Sequence, residues 1–261
     1  MAEPITIREL SSLDDSRAAA ALLDSIWGGR AVITSELLLA MGTHGGLVLG
    51  AFRGEALVGA QMGFIGLVDG RPVAHSHVTG VVPDEQGAGV GFALKLGQRD
   101  WCLARDIDVV TWTFDPLIAR NARFNLHKLG AVANRFLRDF YGSMDDAFNV
   151  GERTDRLEVR WDLRSPRVKS AVQGRPSEES DAGEASVVLD EREGQPIFQE
   201  VGDATRIAIR VPSDYQSLRR TDPAAAKAWR DAVGDAMEEA IGNGFRAIDF
   251  LRQGTYILER E

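Results

Sequence analysis

Residues 75–83 read HSHVTGVVP, residues 84–91 read DEQGAGVG, and residues 92–105 read FALKLGQRDWCLAR. The first segment is rich in β-branched residues and ends at a proline. The second is rich in glycine, and the third has apolar residues at helical spacing. This order predicts a strand, a loop and a helix in immediate succession.

The glycine loop favours an anionic ligand. Gly87, Gly89 and Gly91 have no Cβ, so that backbone can approach a ligand closely. The first N–H groups of the following helix have no internal partner, and the helix dipole is positive there, which suits a phosphate. The spacing is Gly-x-Gly-x-Gly, which departs from the dinucleotide fingerprint, and no Gly-Lys-Ser/Thr of a nucleotide-triphosphate loop follows.

The loop and the strand before it resemble the acyl-CoA motif of the GNAT superfamily of N-acetyltransferases, Gln/Arg-x-x-Gly-x-Gly/Ala after a strand that ends in Val-x-Pro. The resemblance implies that acetyl-CoA or another acyl-CoA is the co-substrate. It implies that Val81 and Val82 line the pantetheine arm. It also implies that the pyrophosphate is held by Gln86, Gly87, Ala88, Gly89, Val90 and Gly91.

The predicted element order is strand, two helices, three strands, helix, strand, helix and two strands. This order resembles the GNAT topology, an α/β fold with a mixed β-sheet, helices on both faces and a splay between the fourth and fifth strands. We predict a GNAT acyltransferase domain over residues 1–164, a polar linker or long loop over 165–195, and a C-terminal α+β extension over 196–261. The layout resembles that of long bacterial members of the superfamily. The extension repeats the element order of residues 109–141. Two explanations are equally good: a partial second copy of half the GNAT fold, or a coincidence of α/β design.

The composition excludes several classes of partner. A net charge of −9 over 261 residues argues against nucleic acid and against an anionic membrane surface. Cys102 is the single cysteine, so no intrachain disulfide forms, and four histidines with one cysteine give no metal-ligand spacing. The first residues, MAEPIT, lack the features of a signal peptide, and no apolar run is long enough to span a bilayer. We predict a cytoplasmic protein without a metal. The composition is also compatible with a homodimer.

His75 and His77 are candidate catalytic residues. They lie two apart on one predicted strand, so that their side chains share a face. They precede Gln86 by eleven and nine residues, a spacing that resembles the histidine pair of arylalkylamine N-acetyltransferases. The resemblance implies that the pair relays the proton of the amine, for which an imidazole pKa near 6.5 is suited. The alternative is that both rings fill a cleft beside the sheet without a role in catalysis.

Two positions depart from the family pattern. The family often has a tyrosine, the general acid for the departing thiolate, four residues before the glycine of Lys128-Leu129-Gly130; here that residue is Leu126. Tyr141, Asn125 and His127 are substitutes that the sequence does not rank. Ala119 stands where the family has an asparagine. Asn121, two residues later, is either a CoA contact or a solvated helix residue.

These observations predict an acyl-CoA-dependent N-acetyltransferase that acts on a small-molecule amine. A non-catalytic acyl-CoA-binding module is the rival hypothesis, which the missing tyrosine favours and the histidine pair opposes. A third hypothesis keeps the fold but assigns a different reaction of a CoA thioester.

Overall fold

A computed structural model of the chain describes residues 3–28, 33–144, 150–176, 185–200 and 202–260. The described chain divides into two compact units. The first runs to Thr111 and takes in Val150, and the second comprises Trp112–Met144 and the residues from Gly151 onward. The division therefore lies inside a single β-strand.

The first unit is a sheet with helices on both of its faces. Its strands lie in the order β1-β2-β3-β4-β5; neighbouring strands are antiparallel except for β4 and β5, which are parallel. The elements are β1 (Ile5–Glu9), α1 (Leu13–Trp27), α2 (Ser35–Thr43), β2 (Leu47–Arg53), β3 (Ala56–Val68), β4 (Arg71–Val81), α3 (Val90–Leu103) and β5 (Val109–Phe114), of which the last three residues belong to the second unit.

Alternation along β3 separates the two helical layers of this unit. Ala60 and Met62 pack with buried residues of α1 and α2, such as Leu23 and Leu38, in one apolar cluster. Gly59 lies on the opposite face, where a Cβ would stand 3.1 Å from Leu94 Cδ1 of α3. A side-chain period of two therefore directs successive residues of β3 to different helices.

The second unit contains a larger share of the chain. Its strands lie in the order β5-β7-β6-β11-β12-β10-β8-β9. After β5 come α4 (Ala119–Ala122), a π-helical segment (Arg123–Lys128), β6 (Val132–Leu137), β7 (Arg156–Asp162), α5 (Pro166–Val172), β8 (Ser186–Arg192), β9 (Gln195–Phe198), β10 (Arg206–Arg210), α6 (Tyr215–Thr221), α7 (Pro223–Gly242), β11 (Phe245–Leu251) and β12 (Thr255–Arg260).

Large aromatic side chains form the core of the second unit. Trp161 is completely buried; its ring meets that of Trp112 edge-on at 5.9 Å, and its Nε1 donates to Leu129 O at 2.8 Å. Tyr256 packs against Phe250 with ring centroids 4.6 Å apart and donates its hydroxyl to Pro116 O at 2.7 Å. Each buried polar group of these rings thus has a partner, as burial of Trp and Tyr requires.

The observed element order confirms the predicted α/β fold through β7, and the predicted strand, helix and hairpin of the tail are present as β10, α7, β11 and β12. The compact units differ from the predicted domains, because the second unit includes residues from both sides of position 164. The segment predicted as a polar linker contains α5 and β8, because Ser165 caps a helix that begins with Pro166 and because β8 pairs with β10. The polar run 177–181 lies outside the described residues. An acyltransferase domain over residues 1–164 and a repeated half-fold in the tail stay predictions.

Candidate active site

One edge of β4 is open beside the predicted site. The described β4–β5 ladder consists of Ala74 with Val110 and His75 with Thr111. On its other edge β4 stays paired with β3 as far as Val81, which lies opposite Gly59, and Val82 N donates to Val58 O at 3.0 Å. Among the described residues, the β5-side edge of β4 from Ser76 to Val81 therefore has no strand partner.

A β-bulge lies within this edge, at His77. Met62 pairs with Val78 and Gly63 pairs with Ser76, so that His77 is the extra residue of β4. Gly63 permits the close approach, since a Cβ at this position would lie 2.5 Å from His75 O. A bulge leaves its extra residue out of the ladder and bends the strand. Sequence reasoning missed this feature, although Gly63 within an apolar strand was a signal for it.

The two histidines lie on one face of β4, as predicted. Their ring centroids are 6.4 Å apart, and the ring of Phe64 on β3 lies 5.2 Å from His75 and 6.3 Å from His77. His75 Nδ1 is 3.0 Å from Thr111 Oγ1 of β5. The His77 side chain is exposed to solvent on one side, and partial desolvation of its ring by the surrounding residues lowers its pKa below the usual 6.5. The neutral imidazole, which can accept a proton, therefore predominates at neutral pH.

A short 3₁₀ turn, Pro83–Glu85, connects β4 to the glycine loop. Arg53 Nε and Nη2 donate to the two carboxylate oxygens of Glu85 at 2.7 and 2.6 Å, and these bonds lower the pKa of Glu85. Gln86 Nε2 donates to Val81 O at 3.3 Å. The loop is therefore held from both sides, by an ion pair to β2 and by an amide bond back to the end of β4.

Gly87 and Gly89 have the left-handed backbone that the loop requires, with φ of 85° and 89°. A Cβ built on either would meet nothing within 4 Å, so the space beside both is open. Gly89 is the N-cap of α3, and no side chain of the described residues caps that helix end. Ala88, Val90 and Gly91 complete the turn into the first residues of the helix. The loop thus has open space beside two of its glycines and leads directly into a helix N-terminus, a combination that suits the phosphates of CoA.

Asn121 belongs to the second unit. It is half-buried on α4, and its backbone N–H donates to Ile118 O at 2.9 Å. Its proposed contact with CoA stays a prediction.

The residues near the missing tyrosine have different surroundings. Leu126 is completely buried, and Asn125, which is also buried, accepts a bond from Trp112 Nε1 at 3.2 Å. His127 Nδ1 lies 3.1 Å from Asp249 Oδ1. Tyr141 is exposed, and its hydroxyl lies 3.2 Å from Thr113 Oγ1. Among Asn125, His127 and Tyr141, the candidates to replace the missing general acid, Tyr141 has an exposed side chain with a hydroxyl that can donate a proton.

The single cysteine of the chain is poorly suited to act as a nucleophile. Cys102 is buried, and burial raises its pKa to about 12, so the thiol stays protonated. Within the described ranges, no three His, Cys, Asp or Glu side chains are grouped to hold a metal ion. Over the same ranges, no helix is both long and apolar enough to cross a membrane.

Comparison with solved structures identifies the fold. An acetyltransferase of the GNAT family from Streptococcus pneumoniae superposes with a TM-score of 0.50 at 14% identity, over 60% of this chain and 98% of that one. The Salmonella typhimurium protein yncA, solved with its cofactor acetyl-CoA, superposes with a TM-score of 0.50 at 20% identity, over 62% of this chain and 96% of that one. The matched part of the chain therefore has the GNAT fold. No protein-family model and no curated protein matches the sequence.

Proposed function

We propose that this chain is an acyl-CoA-dependent N-acyltransferase that transfers an acetyl or other short acyl group to a small-molecule amine. One observation carries the proposal: the open edge of β4, with its bulge, runs directly into a glycine loop and an uncapped helix N-terminus. The pantetheine arm would bond to the strand edge as a further strand does, and the pyrophosphate would lie against the amides of residues 86–91.

The proposed reaction needs a base and an oxyanion site. The substrate ammonium loses its proton to His77, directly or through water, and His75 with Thr111 continues the relay. The neutral amine nitrogen then attacks the thioester carbonyl carbon. Backbone N–H groups on the open edge of β4 stabilise the charge that develops on the carbonyl oxygen. The C–S bond breaks, the amide forms, and the CoA thiolate takes up one proton.

The acceptor class rests on composition and on the histidine face. A net charge of −9 favours a cationic amine, and Phe64 offers an exposed apolar ring beside both histidines. A cytoplasmic location and a homodimer remain predictions.

A non-catalytic acyl-CoA-binding module is the second candidate. The buried Leu126 favours it, because an aliphatic side chain cannot protonate a departing thiolate. The two hypotheses share the binding step and differ in turnover.

Two measurements test the proposal. Calorimetric titration with acetyl-CoA should show saturable binding, and a thiol-release assay over a panel of small amines should show turnover with at least one of them. Binding without turnover on any amine would favour the binding module. Absence of acetyl-CoA binding would refute both.

A further inference from the structure

A buried polar cluster lies on the face of β4 opposite to the histidines. Lys95 Nζ on α3 lies 2.9 Å from Ser76 Oγ and 3.0 Å from Gln98 Oε1. Gln61 Nε2 on β3 donates to Ser76 Oγ at 2.8 Å and to Gln98 Oε1 at 2.8 Å. All four side chains are at most 5% exposed. They form a closed ring of contacts, the Lys95 cluster, inside the first unit.

The protons in this ring match a neutral lysine. Ser76 Oγ accepts from Gln61, and its own proton then needs an acceptor. The nitrogen of a neutral amine can accept that proton while it donates to Gln98, whereas an ammonium group has only donors. Burial lowers the pKa of Lys95 to about 7, which makes the neutral form accessible.

The ring contacts β4 next to its bulge. Ser76 pairs with Gly63 and is the residue directly before His77. His75 and His77, on either side of Ser76, face the other way. Ser76 therefore connects the Lys95 cluster to the stretch of β4 that carries both histidines.

The cluster reduces stability where an apolar core would add to it. It buries a lysine, and Gln61 Oε1 and Gln98 Nε2 have no hydrogen-bond partner among the described residues. Polar groups retained at such a cost are typical of a functional region.

We propose that Lys95, in its neutral form, is a positioning residue for acyl transfer: through Ser76 it holds the β4 bulge so that His77 accepts the proton of the amine. The inference rests on the proposed function, because it concerns the same site. Protonation of Lys95 leaves the Ser76 proton without an acceptor within the cluster and thereby displaces Ser76 and His77, so transfer needs two deprotonated groups, Lys95 and His77.

The surroundings identify Lys95 as the group that titrates inside the cluster. β3 has no charged residue, and the charged or titratable residues of the other strands that pack against α3 are Arg8, Glu9, Arg53, Arg71, His75 and His77. Arg8 pairs with Asp15, Arg53 with Glu85, and Glu9 accepts from Trp101 of α3. The other titratable residues of α3 are Arg99, Asp100 and Cys102. The raised pKa of Cys102 keeps its thiol neutral in the pH range in which Lys95 titrates.

The first experiment measures kcat/KM against pH for wild type, Lys95→Met and Cys102→Ala. The logarithm of kcat/KM for wild type should fall on the acid side with a slope that approaches about two, and for Lys95→Met with a slope of about one. Cys102→Ala, a control for disturbance of a buried α3 position, should keep the wild-type slope. A Lys95→Met enzyme with the wild-type slope would overturn the proposal, because a merely structural lysine changes the rate and not the number of ionisations.

The second experiment does not require turnover. The imidazole resonances of His77, followed by NMR against pH, should show a second inflection near pH 7 in wild type, where Lys95 titrates. That inflection should be absent from Lys95→Met and from Ser76→Ala, and present in Ser76→Thr, which keeps the hydroxyl. Identical His77 titration curves in wild type and Ser76→Ala would overturn the proposal. If wild type transfers no acyl group, the proposed function fails, while this titration still decides whether Lys95 acts on His77.

Discussion

Arg230 and Asp115 form a two-bond ion pair inside the second unit. Arg230 Nη1 and Nη2 donate to the two carboxylate oxygens of Asp115, each at 2.8 Å, and Arg230 is 4% exposed. Glu152 Oε2 accepts from Arg230 Nε at 3.3 Å and from the Tyr215 hydroxyl at 2.6 Å. These bonds connect α6 and α7 of the C-terminal region to the turn after β5.

Replacement of Arg230 should therefore destabilise the protein strongly. Arg230→Met leaves the Asp115 carboxylate, whose side chain is only 17% exposed, without its cation, and we expect a loss of about 3–5 kcal/mol in the free energy of unfolding, measured with urea. The matched control is Lys227→Ala. Its ammonium group bonds to Asp231 at 2.6 Å but is 79% exposed, so its loss should cost less than about 1 kcal/mol. Similar losses in both variants would contradict this account.

Removal of the C-terminal region should disrupt the second unit. Arg123 donates to Phe250 O at 3.0 Å, His127 bonds to Asp249 at 3.1 Å, and Tyr256 donates to Pro116 O at 2.7 Å. A chain that ends at Arg164 loses all three partners together with β10, β11, β12 and α7. We expect it to lose cooperative thermal unfolding and near-UV circular dichroism, compared with the full chain. A sharp transition in the shortened chain would instead support the predicted domain of residues 1–164.

A bulky residue at Gly89 should abolish acetyl-CoA binding. Gly89→Glu places a charged side chain in the open space beside the loop, and the positive φ costs about 1–2 kcal/mol. We expect the Kd for acetyl-CoA in calorimetry to rise by at least about 100-fold, or roughly 2.7 kcal/mol, in a protein that stays folded. Gly66→Glu is the control. Gly66 lies in the exposed end of β3, and a Cβ there also meets nothing within 4 Å. Its φ is not positive, so the substitution adds no backbone strain. Unchanged affinity in folded Gly89→Glu would exclude the proposed phosphate site.

Loss of His77 should slow acyl transfer without weakening acetyl-CoA binding. We expect His77→Ala to lower kcat by about 10²–10⁴-fold, the usual contribution of a positioned base. Because partial desolvation lowers the pKa of His77, its ionisation should appear below pH 6.5 in the wild-type rate profile and disappear in the variant, with transfer rising as the pH rises. His75→Ala should have a smaller effect. If the double variant keeps the wild-type rate and pH profile, both histidines are structural.

Lys95 should make stability depend on pH. Between pH 7 and about pH 10.5, the usual value for lysine, the unfolded chain holds a proton on Lys95 that the folded chain has released. The free energy of unfolding of wild type, measured relative to Lys95→Met, should therefore rise by about 1.4 kcal/mol per pH unit across this window. It should be flat above the window. Parallel curves for the two proteins would show that Lys95 stays charged when folded.

Much of the fold and part of the site follow from local patterns. The sequence of residues 75–105 correctly predicts a strand, a glycine loop and a helix. The signals for these elements are the spacing of apolar residues, a proline and several glycines, and each acts over only a few residues. The shared face of His75 and His77 follows from a period of two and is present. The order of elements through β7 was readable for the same reason. The roles of these residues in binding and catalysis stay predictions.

Long-range contacts decided the remainder. No local pattern predicts the ion pair between α7 and the turn after β5. Arg230 and Asp115 are 115 residues apart and become partners only when the chain folds. The helical spacing of Lys95, Gln98 and Cys102 was a signal for one buried face, yet a lysine in such a stripe usually extends to solvent. Only the packing of α3 against β3 and β4 encloses its amine. The sequence by itself thus determined which segments through β7 become strands and helices, since that depends on neighbouring residues. The tertiary structure alone decided the bulge at His77, the buried lysine and the ion pairs of the second unit, since each depends on groups that the chain brings together from a distance.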